Sequence, residues 1–163
     1  SKDAEKLMVR AKDSFDSAIP SGNSVAAMNL FRLGKMTGNT KWTELGEKTL
    51  KAFTEQAKQS PNGFSFMLTA FMFNQKNSKE LVIVSNGLDE KTEDAIKRVK
   101  DTYAPNMVTL FKDMSKPSLL EKIAPWTEAH SIMDNKPTFY LCEDFSCKRP
   151  TTNIKTVLNY LNE

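Results

Sequence analysis

Leu81-Val82-Ile83-Val84-Ser85-Asn86-Gly87, followed further on by Met107-Val108-Thr109-Leu110-Phe111, sets the architecture of the second half of the chain. The first run is apolar and largely β-branched without a polar residue at alternate positions. A strand wetted on one face alternates; one buried on both faces does not. Asn86-Gly87 supplies a turn, and Asp89 opens a helix whose apolar side is Ala95, Ile96 and Val99. Ala104-Pro105-Asn106 ends that helix, and Met107 to Phe111 is a second strand. Strand, helix and strand within about 30 residues form a βαβ unit, whose strands are parallel and whose crossover is right-handed.

Downstream, Ser118 to Ile123 reads as a short helix stopped by Pro125. Asp134-Asn135-Lys136-Pro137 turns the chain into a third strand, Thr138-Phe139-Tyr140-Leu141-Cys142. After Pro150, Ile154, Val157, Leu158 and Leu161 give the stripe of a last helix. Upstream, the periodicity is helical. Ala26, Ala27, Leu30, Phe31 and Leu33 mark a helix over residues 24–36, which Gly38 closes. Thr40 starts a second over residues 40–59, with Trp42, Leu45, Gly46, Leu50, Phe53 and Ala57 along it. So short a connection predicts an antiparallel αα-hairpin. Ser60-Pro61-Asn62-Gly63 breaks the chain before a third run with Phe64, Met67, Leu68, Phe71 and Met72. Residues 1–15 fit a helical stripe at Ala4, Leu7, Met8 and Ala11, or a short extended segment at Leu7 to Arg10. The expected fold is α+β or α/β: helical hairpins over residues 1–76, then a small three-stranded, at least partly parallel α/β lobe over residues 77–163.

The bulk properties narrow the function classes. With 163 residues, 39% of them hydrophobic and 26% charged, the chain is that of a folded globular protein. It is long enough to bury roughly 70% of its unfolded surface. The formal net charge is only +3, and Lys97, Arg98 and Lys100 are interleaved with Glu93, Asp94 and Asp101, so a solvated helix face is expected and nucleic-acid binding is not. No apolar run reaches the about 20 residues that span a bilayer. Residues 1–6 lack a signal-peptide core, and the first residue is not Met, which leaves a lost upstream segment open. A cytoplasmic location, without membrane attachment, is the expectation.

Three groups of residues invite a chemical reading. Asp16-Ser17-Ala18-Ile19-Pro20-Ser21-Gly22-Asn23 places a carboxylate, a rigid proline and helix-capping residues just before the first helix. Pro20 fixes its own φ and extends Ile19, while Ser21, Asn23 or Ser24 can accept from the free N–H groups of the helix. Asp16, with Ser21, Gly22 and Asn23, is therefore the candidate ligand-binding loop, and Asp16 the one candidate catalytic acid or base. The structural alternative is an Asx-turn holding the loop. A glycosidase would need a second carboxylate about 5–10 Å away, and the spacing of Glu44, Glu47 and Glu55 singles out none of them.

Cys142 and Cys147 flank Glu143-Asp144-Phe145-Ser146 at the exit of the third strand. A tight loop there would bring the sulfurs within disulfide reach. The neighbouring acids raise a thiol pKa, and in a reducing cytosol a dithiol is the expected form. Redox exchange is the sharper alternative. His130, the sole histidine, could pair with Glu128 or be an ordinary polar residue. Zinc is set aside, because a closed structural site takes four ligands and only His130 could join the two cysteines. Asn86-Gly87 lacks the glycine pattern of a dinucleotide fold, so no cofactor is expected.

The Asp16–Ser24 segment with Asn29 to Leu33, the strand Leu81 to Val84, and Tyr140-Leu141-Cys142 with Cys147 to Pro150 together resemble the C-terminal part of the thioredoxin-domain family that includes the spermatogenesis-associated proteins. The resemblance implies a parent chain with an N-terminal thioredoxin-like domain and an α/α toroid like that of six-hairpin glycosidases. This chain has no Cys-x-x-Cys and too few helices to close such a toroid, so it looks like the last toroid helices plus the α/β lobe. On that basis Asp16 and Asn23 would face a sugar- or polyol-binding cavity, or the segment would support the thioredoxin-like domain as a redox or interaction module. The missing domain and helices would be its partners. Apolar surface left uncovered, with Phe31, Trp42 and Phe53 as candidates, would favour weak self-association.

Overall fold

The computed structural model of the chain describes residues 14–75 and 78–161. The stripe at Ala4, Leu7, Met8 and Ala11, and the boundary between residues 76 and 77, lie outside them. Among the described residues, helices α1 (Gly22–Thr37), α2 (Thr40–Ala52), α3 (Thr54–Gln59) and α4 (Ser65–Gln75) precede strand β1 (Lys79–Ser85), helix α5 (Glu90–Lys100) and strand β2 (Met107–Asp113). The short helix α6 (Ser118–Glu121), strands β3 (Thr138–Glu143) and β4 (Ser146–Cys147) and helix α7 (Ile154–Leu161) follow, with 3-10 turns at Pro61–Phe64 and Pro125–Thr127. The fold is α+β.

The sheet order is β2-β1-β3-β4. β1 pairs parallel to β2 and antiparallel to β3, and β3 pairs antiparallel to β4. The first two strands are thus parallel, as the βαβ reading requires, and the third expected strand joins the same sheet. A two-residue fourth strand extends it. β1 occupies the centre, and every residue from Glu80 to Ser85 is buried.

Strand alternation sends neighbouring side chains to opposite faces. Leu81, Ile83, Met107, Phe139 and Leu141 meet Ala95 and Val99 of α5 and Val157 of α7 on one face. Val82, Val84, Tyr140 and Cys142 form the other face, beneath Trp126 and Ile132. At the β2 edge of that second face Val108 enters the cluster of Ala27, Phe31, Ala70 and Phe73. The α1–α4 layer therefore packs on the sheet.

Local chemistry explains the helix ends. The Ser21 hydroxyl accepts from the Ser24 N–H at α1, and Gly38, at φ 70°, ends it in the left-handed conformation. Asn39 caps α2 by accepting from the Lys41 N–H. The helix expected over residues 40–59 is interrupted at Phe53. Phe31, expected at an uncovered surface, is 1% exposed. It packs so closely on α2 that a Cβ on Gly46 would lie 2.6 Å from its ring. Trp42 and Phe53 are half-buried, and the exposed apolar side chains of this layer include Leu45, Phe71 and Met72.

Candidate functional site

The Asp16 loop works as a double cap. Asp16 Oδ1 accepts from the Ser21 N–H at 2.8 Å. Its Oδ2 accepts from the N–H groups of Phe66 at 2.9 Å and Met67 at 3.0 Å, the otherwise unpaired donors of the first turn of α4. One carboxylate thus ties the entry of α1 to the start of α4. Burial alone would push its carboxyl up, but the bonds from Ser21, Met67, Ser24 and Phe66 together hold it below the usual aspartate value. Ser21 is buried, Asn23 half-buried and Gly22 exposed.

A second cluster forms where β3, β4 and the segment before β3 converge. Cys142 and Cys147 are register partners across the β3/β4 hairpin and form a disulfide. The Lys148 N–H bonds the Leu141 carbonyl at 2.9 Å. The Cys142/Cys147 pair, one position nearer the turn, is therefore a non-hydrogen-bonded pair, the kind whose side chains approach most closely. Asp144 and Phe145 form the turn with φ of 48° and 62°. Both positive values are those of a type I′ turn, which matches strand twist but favours Asn and Gly.

A bulky Phe in that conformation is strained, and its surroundings over-determine it. The Phe145 N–H donates to Glu80 Oε2 at 3.3 Å, and its ring meets Trp126 edge to face at 5.2 Å between centroids. Lys35 of α1 pairs with Asp144 and lies 3.4 Å from Glu80 Oε1. Glu80 is fully buried, and burial, offset only in part by Lys35, pushes its carboxyl above the usual value. The turn is thus tied to α1, β1 and the Trp126 segment.

His130 faces the disulfide. Its Nε2 lies 3.6 Å from Cys147 Sγ, its ring stacks on Tyr140 at 4.2 Å, and Trp126 meets it edge-on at 5.6 Å. Lys112 fixes the backbone that carries it. This buried ammonium donates to the carbonyls of Thr127 at 2.8 Å, Glu128 at 3.1 Å and His130 at 2.9 Å, and pairs with Glu121 at 2.8 Å. Burial first, then the Lys112 charge, lowers the His130 pKa below its ordinary value, which favours the neutral ring. Cys142 is buried and Cys147 exposed. The disulfide thus joins a buried residue to an exposed one, with the imidazole beside the sulfur of the exposed residue. The ligand atoms of His130, Cys142 and Cys147 all lie within 4.8 Å of one another.

The structure thus brings Cys142, Cys147 and His130 together, and keeps Asp16 apart in its own capping role. Glu80, Lys35 and Lys112 are site residues that no sequence motif marks, and Tyr140, part of the family-like segment, had no assigned role. A polar Glu80 and Lys112 at the ends of otherwise apolar strands were the available signal.

The chain is similar to human spermatogenesis-associated protein 20, with 32% identity over 147 residues, 90% of this chain. The rat protein of the same name is 31% identical over the same share. These pairings cover 19% of either relative, so the chain spans about one fifth of their length. The chain is consistent with a fragment of that family. A Caenorhabditis elegans protein whose name assigns no function is 23% identical over 99% of this chain and 22% of its own length. No family model and no solved structure matches.

Proposed function

We propose that the chain is the C-terminal region of a larger multidomain protein of the spermatogenesis-associated protein 20 kind, and that its working group is the Cys142–Cys147 pair, which exchanges two electrons with a dithiol partner. The observation that carries this reading is a disulfide between a buried Cys142 and an exposed residue, Cys147, with a buried imidazole 3.6 Å from the Cys147 sulfur. In the reducing direction, a partner thiolate attacks Cys147 Sγ and the bond to Cys142 breaks. Cys142 leaves as a thiolate and takes up a proton. The partner's second thiolate then attacks the mixed disulfide, the partner becomes the disulfide, and Cys147 leaves as a thiolate. His130 Nε2 stands where it can exchange the proton of the departing or attacking Cys147 sulfur.

The test uses Cys142→Ser, which leaves Cys147 as the only thiol. Its rate with an aromatic disulfide reagent at pH 7 is compared with that of Cys142→Ser/His130→Ala. The double variant is expected to react several-fold more slowly with an unchanged far-UV spectrum. Equal rates would remove His130 from the exchange, and a Cys147 that does not react at all would remove the exchange itself.

The resemblance also carries a second proposal: in the full-length protein the Asp16–Asn23 loop forms part of the wall of a carbohydrate-binding cavity. Because Asp16 is engaged by three N–H groups, its part there would be to shape the wall. A sugar and polyol binding screen on the full-length protein tests this. Binding that is unaffected by substitutions at the exposed Gly22 would discard it.

A further inference from the structure

We infer that the Cys142/Cys147 pair in its reduced form, together with His130, is a zinc site with one open position on the Cys147 side. The inference rests on the proposed redox activity only to the extent that the disulfide must be reducible. Two thiolates and one imidazole are soft, zinc-preferring donors. Two ligands on a tetrahedral zinc, at about 2.3 Å for sulfur and about 2.0 Å for nitrogen, stand about 3.6 Å apart. His130 Nε2 and Cys147 Sγ are already 3.6 Å apart. The sulfurs, bonded to one another in the oxidised form, would on reduction take the spacing of two thiolates on one tetrahedral zinc, about 3.8 Å. Cys142 and Cys147 face one another at a non-hydrogen-bonded position of the hairpin, where side chains approach closely, and the separation would come from rotation of the exposed Cys147.

His130 is 7% exposed and held by Tyr140 stacking and the Lys112 clamp, so the nitrogen ligand is positioned before any ion arrives. Cys147 is exposed, which gives the ion an entry path and leaves the fourth position to water or to a partner's ligand. The disulfide and the metal site are mutually exclusive. Oxidation removes two electrons and both thiolates, and closes the site; reduction by a dithiol opens it, and zinc binding then releases the two thiol protons.

The experiment reduces the protein with a water-soluble phosphine, which takes up the disulfide's oxidising equivalents as its oxide, and removes the excess. Cobalt(II) is added as a spectroscopic probe, then displaced with zinc. The reduced chain is expected to bind one cobalt with thiolate charge-transfer and tetrahedral d–d bands, and to release it on addition of one equivalent of zinc. The oxidised chain is expected to show neither. Cys147→Ser, at an exposed position, should lose much of the charge-transfer intensity with its far-UV spectrum intact, and His130→Asn should weaken binding by about tenfold or more. Two free thiols with no cobalt bands, or His130→Asn binding as tightly as the parent, would overturn the zinc site and leave the exchange reading standing. A disulfide that the phosphine does not open would overturn both.

Discussion

Asp16 and His130 both sit in loops outside the long helices and strands, yet the structure gives them opposite work. Asp16 is consumed by backbone donors. Asp16→Asn keeps one acceptor oxygen and loses the charge that holds Phe66 and Met67, so a loss of about 2 kcal/mol is expected from charge-assisted bonds, read by urea unfolding at pH 7. The sign with pH follows from the depressed carboxyl. Its stabilising contribution is complete above the unfolded value of about 3.9 and is lost as pH falls through the lower folded value. Stability of the parent should therefore fall at acid pH, and Asp16→Asn should be less sensitive there. The capping role was legible at Ser21, whose type and position before an apolar run are an N-cap signature. That Asp16 reaches across to α4 was not legible, because its partners Phe66 and Met67 are 50 and 51 residues away, and no local rule connects them. His130 was ambiguous for the same reason: Tyr140 and Cys147 meet it only through the sheet.

The β3/β4 hairpin shows how an element escapes local reading. The third strand was plain from Thr138 to Cys142, but the turn that follows is Asp144-Phe145. A type I′ turn usually announces itself with Asn-Gly or Asp-Gly, and here tertiary contacts supply what the turn residues do not. Phe145→Ala removes the ring that packs on Trp126 and should loosen the hairpin by about 1 kcal/mol, seen as faster exchange of the Lys148 amide. The disulfide closes a short loop, so Cys147→Ser should cost at most about 2 kcal/mol and leave far-UV circular dichroism unchanged. Loss of the whole fold in that variant would mean that the pair is a structural staple. By contrast, α5 and the apolar centres of β1 and β2 were readable, because apolar runs and a capped amphipathic helix carry their own signals; the polar strand ends at Lys79, Glu80, Lys112 and Asp113 were not.

For the molecule as a whole, Val108 links the two layers. It lies on β2 and is buried among Ala27, Phe31, Ala70 and Phe73 of the helices. Val108→Ala should destabilise by about 1–2 kcal/mol, and fluorescence of Trp42 and Trp126 should report one common unfolding transition; a shift of one transition alone would mark two independent units. Weak self-association was expected at uncovered Phe31, Trp42 and Phe53; Phe31 is buried, and we propose that any such association uses the apolar groove of about 290 Å³ lined by Leu50, Met67, Leu68 and Phe71 instead. Sedimentation over a concentration series checks it, and a strict monomer would discard it.

The redox reading stands or falls on the state of two sulfurs. The chain, purified without reductant, is alkylated under denaturing conditions before and after treatment with a dithiol, and its intact mass is measured. The reading requires no label before reduction and two labels after it, on a monomer, with the unlabelled form restored by mild oxidant. Two labels at every stage, or a disulfide-linked dimer in place of the internal bond, would contradict it.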